Sequence, residues 1–152
     1  MRPLLSLLAA LSVLALAACG GDDGPTVAEY REEARSICAD ADRATEAVEE
    51  PTRATSEAIV DYFERLLRAN ERTTQRFEDL EAPDDLADAH ADALKANRDG
   101  VAEVRRIITA LRGGDDPREV LSSAQSRLQQ LSGDAGDAAR RLGVPECADD
   151  SQ

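Results

Sequence analysis

The chain has 152 residues, 31 of them acidic and 18 basic, for a formal net charge of −13. That length supports one domain with one core. The charge repels nucleic-acid phosphates and anionic lipid headgroups, which disfavours nucleic-acid binding and docking on a membrane through the protein surface. Aromatic residues make up 3% and tryptophan is absent, so the core must come from leucine, isoleucine, valine and alanine, which suits close-packed helices better than sheets.

Met1 and Arg2 form a short positive start, and residues 3–16 are uncharged and mostly apolar. This run is shorter than the about 20 residues of a membrane span. Small residues then precede Cys19, and polar Gly20-Gly21-Asp22-Asp23-Gly24 follows. Charge, apolar run and small residues in that order mark 1–18 as a secretory signal peptide outside the fold. Leu16-Ala17-Ala18-Cys19 resembles the lipobox of bacterial lipoproteins. In that family the cysteine thiol receives a diacylglyceryl group and becomes the new N-terminus. Two acyl chains anchor stably where one would be marginal. On this reading Cys19 is the lipidation site, 19–25 is a flexible tether, and the domain stands on the outer face of the cell membrane. The other reading is ordinary secretory cleavage, with Cys19 left as a plain cysteine.

Thr26 can cap a first helix, predicted over 26–50, because Val27, Tyr30, Ala34, Ile37, Ala41, Ala44 and Val48 recur at helical spacing. Pro51 ends this helix or opens the next. The second helix carries Ile59, Phe63, Leu66, Asn70, Thr73, Phe77 and Leu80 as a seam with two polar members. Pro83 with Asp84 and Asp85 makes a turn and a helix start. The third helix is predicted over 84–112, with Leu86, His90, Leu94, Asn97, Val101, Val104, Ile108 and Leu111 on its face. Gly100 inside it suggests close approach of a neighbour. Gly113 and Gly114 stop that helix, and Asp116 with Pro117 starts a fourth. Leu121, Ala124, Leu128, Leu131, Ala135, Ala138 and Leu142 form its face, and Gly143 ends it. Residues 144–147 should run extended, and 148–152 should fray. Similar helices on short loops predict an all-α fold, an antiparallel up-down-up-down four-helix bundle over 26–147.

Of three cysteines, lipidation of Cys19 leaves Cys38 and Cys147. An isolated pair outside the cytoplasm favours a disulfide, against two unrelated thiols. Cys38 lies roughly 18 Å along the first helix, and five extended residues span at most about 17 Å, so the tail would barely reach it. The single histidine, His90, lacks the partners of a di-iron or zinc site and reads as a core residue rather than a ligand. Asp84-Asp85 and Asp115-Asp116 read as helix starts, since no calcium loop is present. No hydrolase, phosphate-loop or acid–base pattern occurs, so neither enzyme activity nor a cofactor is expected. Asn70, Thr73 and Asn97 are the unusual seam positions. They either fix register as buried amides or orient a small ligand in an apolar groove.

Taken together, the lipobox, Arg35-Ser36-Ile37-Cys38-Ala39 and Leu142-Gly143-Val144-Pro145-Glu146-Cys147-Ala148 resemble a group of small helical lipoproteins of the actinobacterial type. The resemblance implies a helical fold stapled from Cys38 to Cys147 and implies no activity. The expected role is a non-catalytic binding or scaffold protein of the cell envelope that meets another envelope protein. The alternative is a carrier of a small apolar or lipid-like molecule between the helices.

Overall fold

Side-chain caps fix where three of the helices begin. The computed structural model describes residues 24–53 and 55–148; Cys19, the expected signal peptide, most of the tether and residues 149–152 lie outside them. Thr26 Oγ1 accepts the Glu29 N–H at 3.2 Å while Glu29 Oε2 accepts the Thr26 N–H at 2.9 Å, a reciprocal cap that opens α1, Val27–Glu46. Thr55 Oγ1 accepts the Ala58 N–H at 3.3 Å and opens α2, Ser56–Glu78. A 3-10 turn, Asp84–Leu86, leads into α3, Ala87–Arg112, which has no side-chain cap. Asp116 Oδ1 accepts the Arg118 and Glu119 N–H groups at 2.9 and 3.3 Å, and Pro117 fills the first position of α4, Pro117–Leu142. The described residues are 82% helical, in four α-helices and two 3-10 turns without strands. They pack as a helical bundle.

The first helix is shorter than its sequence pattern predicts, ending at Glu46 rather than at residue 50. The Ala47 N–H returns to Arg43 O and the Val48 N–H to Thr45 O, which tightens the last turn. Pro51 disfavours helical geometry at Glu50. It neither ends α1 nor opens α2, but sits in the link between them.

This shortness divides the core. Tyr30, Ala34 and Ile37 of α1 pack with Phe77, Leu86, Ala139, Leu142 and Val144. A second cluster joins Val60, Val104, Ile107, Ile108, Leu111, Val120 and Ala124, from α2, α3 and α4 alone. One end of the molecule therefore has a core shared with α1 and the other has a three-helix core. Each fully buried leucine or isoleucine there, such as Leu142 and Ile107, contributes about 1.5–3 kcal/mol.

The expected seam of α2 is rotated. Val60, Ala69, Thr74 and Phe77 are its buried positions, while Asn70 is exposed. Gly100 is a second correction, because a Cβ there would meet nothing within 4 Å, so no neighbour approaches closely. Ion pairs tie α2 to α3 in steps of one heptad. Glu78 bonds Arg98 at 2.8 Å, Glu71 bonds Arg105 at 2.6 Å, and Glu64 bonds Arg112.

The C-terminal end of α4 is fastened to α1. The Gly143 N–H bonds Arg140 O and the Val144 N–H bonds Ala139 O, a paired closure that needs a left-handed residue; Gly143 supplies it with φ 78°. Arg31 Nε donates to Leu142 O at 2.8 Å, placing a cation at the negative end of α4. Arg35 pairs with Glu146. Residues Pro145–Ala148 coil into a 3-10 turn, not the expected extended tail. Because α4 ends beside Arg31 rather than at the start of α1, a coiled tail suffices to reach Cys38. Cys38 and Cys147 form the disulfide with Cα atoms 5.5 Å apart, across 109 residues of sequence.

Closing a loop of that size constrains the unfolded chain by about 4–5 kcal/mol, so Cys38→Ser with Cys147→Ser should lower urea-unfolding stability by that order. Gly143→Ala should cost about 1–2 kcal/mol through left-handed strain, with its new Cβ 2.6 Å from Arg31 Nε. Gly100→Ala should instead stabilise by about 0.5–1 kcal/mol. The opposite signs of the two glycine substitutions are read from the same denaturation series.

Candidate functional site

Small residues open the interior where α1 approaches its end. Its inward side chains pass from Tyr30 and Ile37 to Ala41 and Thr45. Ala93 on α3 and Ala135 and Ala139 on α4 face the same space. The result is a groove of about 550 Å³ among all four helices, floored by Phe77, Leu142 and Val144 and bordered by the Cys38–Cys147 bridge. A volume of that size suits a small organic ligand.

Asn70, Thr73 and Asn97 all line this groove. They also line a smaller cavity of about 220 Å³ that continues between α2, α3 and α4 past Val101, Leu128 and Leu131. The polar trio thus stands where two apolar spaces meet. Thr73 Oγ1 donates to Ala69 O at 3.1 Å and so is held by its own helix. The side-chain amides of Asn70 and Asn97 have no hydrogen-bond partner among the described residues, and no buried side-chain N or O there is left unsatisfied. Asn70 is exposed and Asn97 half-buried, so they are not the buried, bonded amides that a register device requires. Asp42, Thr45 and Glu46, from the last turns of α1, complete the wall, and no Lys, Arg or His lines it.

His90 lies away from the groove. Its Nδ1 is 2.8 Å from the Tyr30 hydroxyl, with the rings edge to face at 5.7 Å. Tyr30 is fully buried, and burial pushes its hydroxyl up to about 12. Burial also holds His90 below its ordinary value. Both groups are therefore held neutral, and they share this bond with roles set by the imidazole tautomer. This bond satisfies a hydroxyl that would otherwise be costly to bury, and it gives His90 a structural task.

A third cleft lies between α3 and α4. Three of its four carboxylates pair with basic residues, Asp99 with Lys95 at 2.7 Å, Asp92 with Arg141 at 3.0 Å and Asp137 with Arg140 at 2.5 Å. Of the expected aspartate caps, Asp116 makes its bonds, whereas Asp84 and Asp85 lie in the 3-10 turn, where no side-chain cap bond forms. Among the described residues no group of three or more His, Cys, Asp or Glu could hold a metal ion, and no helix is long and apolar enough to cross a membrane. Comparison with protein-family models, curated proteins and solved structures finds no match.

Burial of His90 makes stability depend on pH. As pH falls through the ordinary histidine value of 6.5, the unfolded chain takes up the proton before folded His90 does. The stabilisation is complete above that value and is lost as pH drops below it. Carboxylates whose values are lowered, such as Glu29 by its bonds to Thr26 and Asp40 by Arg76 and Arg43, lose theirs only under more acidic conditions. Thermal stability should therefore fall between about pH 7.5 and pH 5.5, and His90→Asn should flatten that slope.

Proposed function

We propose that this protein is a lipid-anchored, extracytoplasmic four-helix bundle, arranged antiparallel in up-down-up-down order, that holds a small amphiphilic molecule in its groove. The observation that carries the binding role is the pair of amides, Asn70 and Asn97, which have no hydrogen-bond partner among the described residues and stand on the wall of a groove with an apolar floor. Apolar walls supply binding energy through burial, and a few convergent polar groups orient the ligand. The molecule would be carried or sensed rather than transformed, because among the described residues the groove offers two carboxylates and two threonine hydroxyls but no histidine, lysine or metal cluster to activate them.

The antiparallel order is supported by the ion-pair ladder, in which rising numbers on α3 meet falling numbers on α2. Sequential helices also pack as neighbours, α1 on α2, α2 on α3 and α3 on α4. Anchoring and location rest on the lipobox resemblance at Leu16-Ala17-Ala18-Cys19 and on the disulfide, which suits an oxidising compartment. Docking of another envelope protein on a charged helix face stands second, since many of the arginines on those faces already pair with carboxylates of this chain.

Native mass spectrometry of the protein taken from its own envelope in mild detergent tests all three parts. The expected spectrum shows an acylated mature chain, two hydrogens short, with a stoichiometric small molecule that is lost in Asn97→Leu. A chain with no acyl mass removes the anchor. A chain that never carries a ligand, with Asn70→Leu and Asn97→Leu merely more stable, removes the groove.

A further inference from the structure

The groove has a sign. Two carboxylates, Asp42, which has a partner of its own, and Glu46, line it, and among the described residues no basic side chain does. Glu46 is exposed and makes no hydrogen bond or ion pair with the described residues. Two arginines beside it are engaged elsewhere, Arg43 with Asp40 and Arg76 with Asp40 and Glu33. A second feature acts in the same direction. α1 ends at Glu46, so the groove wall at Thr45 and Glu46 is the negative end of a helix, where cations are favoured. Both lie on a chain whose formal charge is −13, which repels an incoming anion and attracts a cation.

We infer that the groove selects an amphiphilic organic cation, an ammonium head on an apolar body, over the carboxylate or neutral compound of the same length. This deepens the ligand-binding reading above and rests on it. The ammonium group sits at the Glu46 end, where its N–H donors reach a carboxylate and the negative end of α1. The side-chain carbonyls of Asn70 and Asn97 accept from the same head or from a polar group next to it. The apolar body lies over Phe77, Ala139 and Leu142. A fatty acid or an anionic phospholipid headgroup would bring a negative charge beside Glu46 and, among the described residues, would find amide donors there but no cation.

The test titrates the full chain in non-ionic detergent with hexylammonium, hexan-1-ol and hexanoate, following the side-chain amide resonances of Asn70 and Asn97. The expected order is hexylammonium, hexanol, hexanoate, with about a tenfold gap in affinity between the first and the last. Glu46→Gln should narrow that gap several-fold and leave hexanol unchanged. Glu57→Gln removes an exposed carboxylate outside the groove and should leave the gap intact, which separates a local effect from net charge. If the three probes bind equally, or if Glu57→Gln acts as strongly as Glu46→Gln, the inferred sign is wrong while the groove still binds. If none of them shifts the two amides, the ligand-binding reading itself falls.

Discussion

The arrangement of this protein depends on how the last turn of α4 is held against α1. Arg31 takes the Leu142 carbonyl, Gly143 turns the chain through a left-handed residue, and Val144 buries itself beside Ala139. Cys147 then reaches Cys38. Each step relies on the one before it. Without the glycine turn, the tail would leave along the axis of α4 and the two sulfurs would not meet. Without Arg31, the Leu142 carbonyl would lose its side-chain donor, leaving Arg35 on the Gly143 carbonyl as the cation at that end of α4. The bridge therefore secures covalently an arrangement that hydrogen bonds and packing already define.

Because α1 is short, this fastening also shapes the interior. α1 is attached firmly near its start, through Tyr30, Ala34 and Ile37, and ends before the second core cluster begins. The level at which it ends is lined by alanines. Space is left there because no large side chain is supplied to fill it, and polar groups tolerate the site because water reaches them. The same geometry explains why Asn70 is exposed while Phe77, two turns further along α2, is buried.

Much of this was legible in the sequence. Helical periodicity and capping residues located all four helices, since a Thr-x-x-Glu box or an Asp-Pro start is a local matter decided within a few residues. The face of α3 was read closely, with Val101, Val104, Ile108 and Leu111 buried as expected. The misreadings are tertiary. Residue spacing alone draws the seam of α2 through Asn70, whereas the buried stripe runs through Val60, Ala69, Thr74 and Phe77. Gly100 looked like a packing glycine but adjoins open space. The link between Tyr30 and His90 joins two faces that were each read correctly, yet nothing along the chain says that they meet. The α2–α3 ion-pair ladder was visible only as surface charge, because partners on different helices emerge only once the helices are set side by side.

The disulfide has a mechanical consequence. Residues 38–147 form a covalently closed ring, with α1's first turns leading into it from the N-terminal side. A pull on the chain from that side is borne by the residues up to Cys38 and then shared across the bridge with Cys147. Stretching can therefore peel the first turns of α1 from their neighbours, but it cannot unravel α2, α3 and α4 by drawing them out in sequence. The groove, bounded by the bridge itself, lies at the border of the protected part.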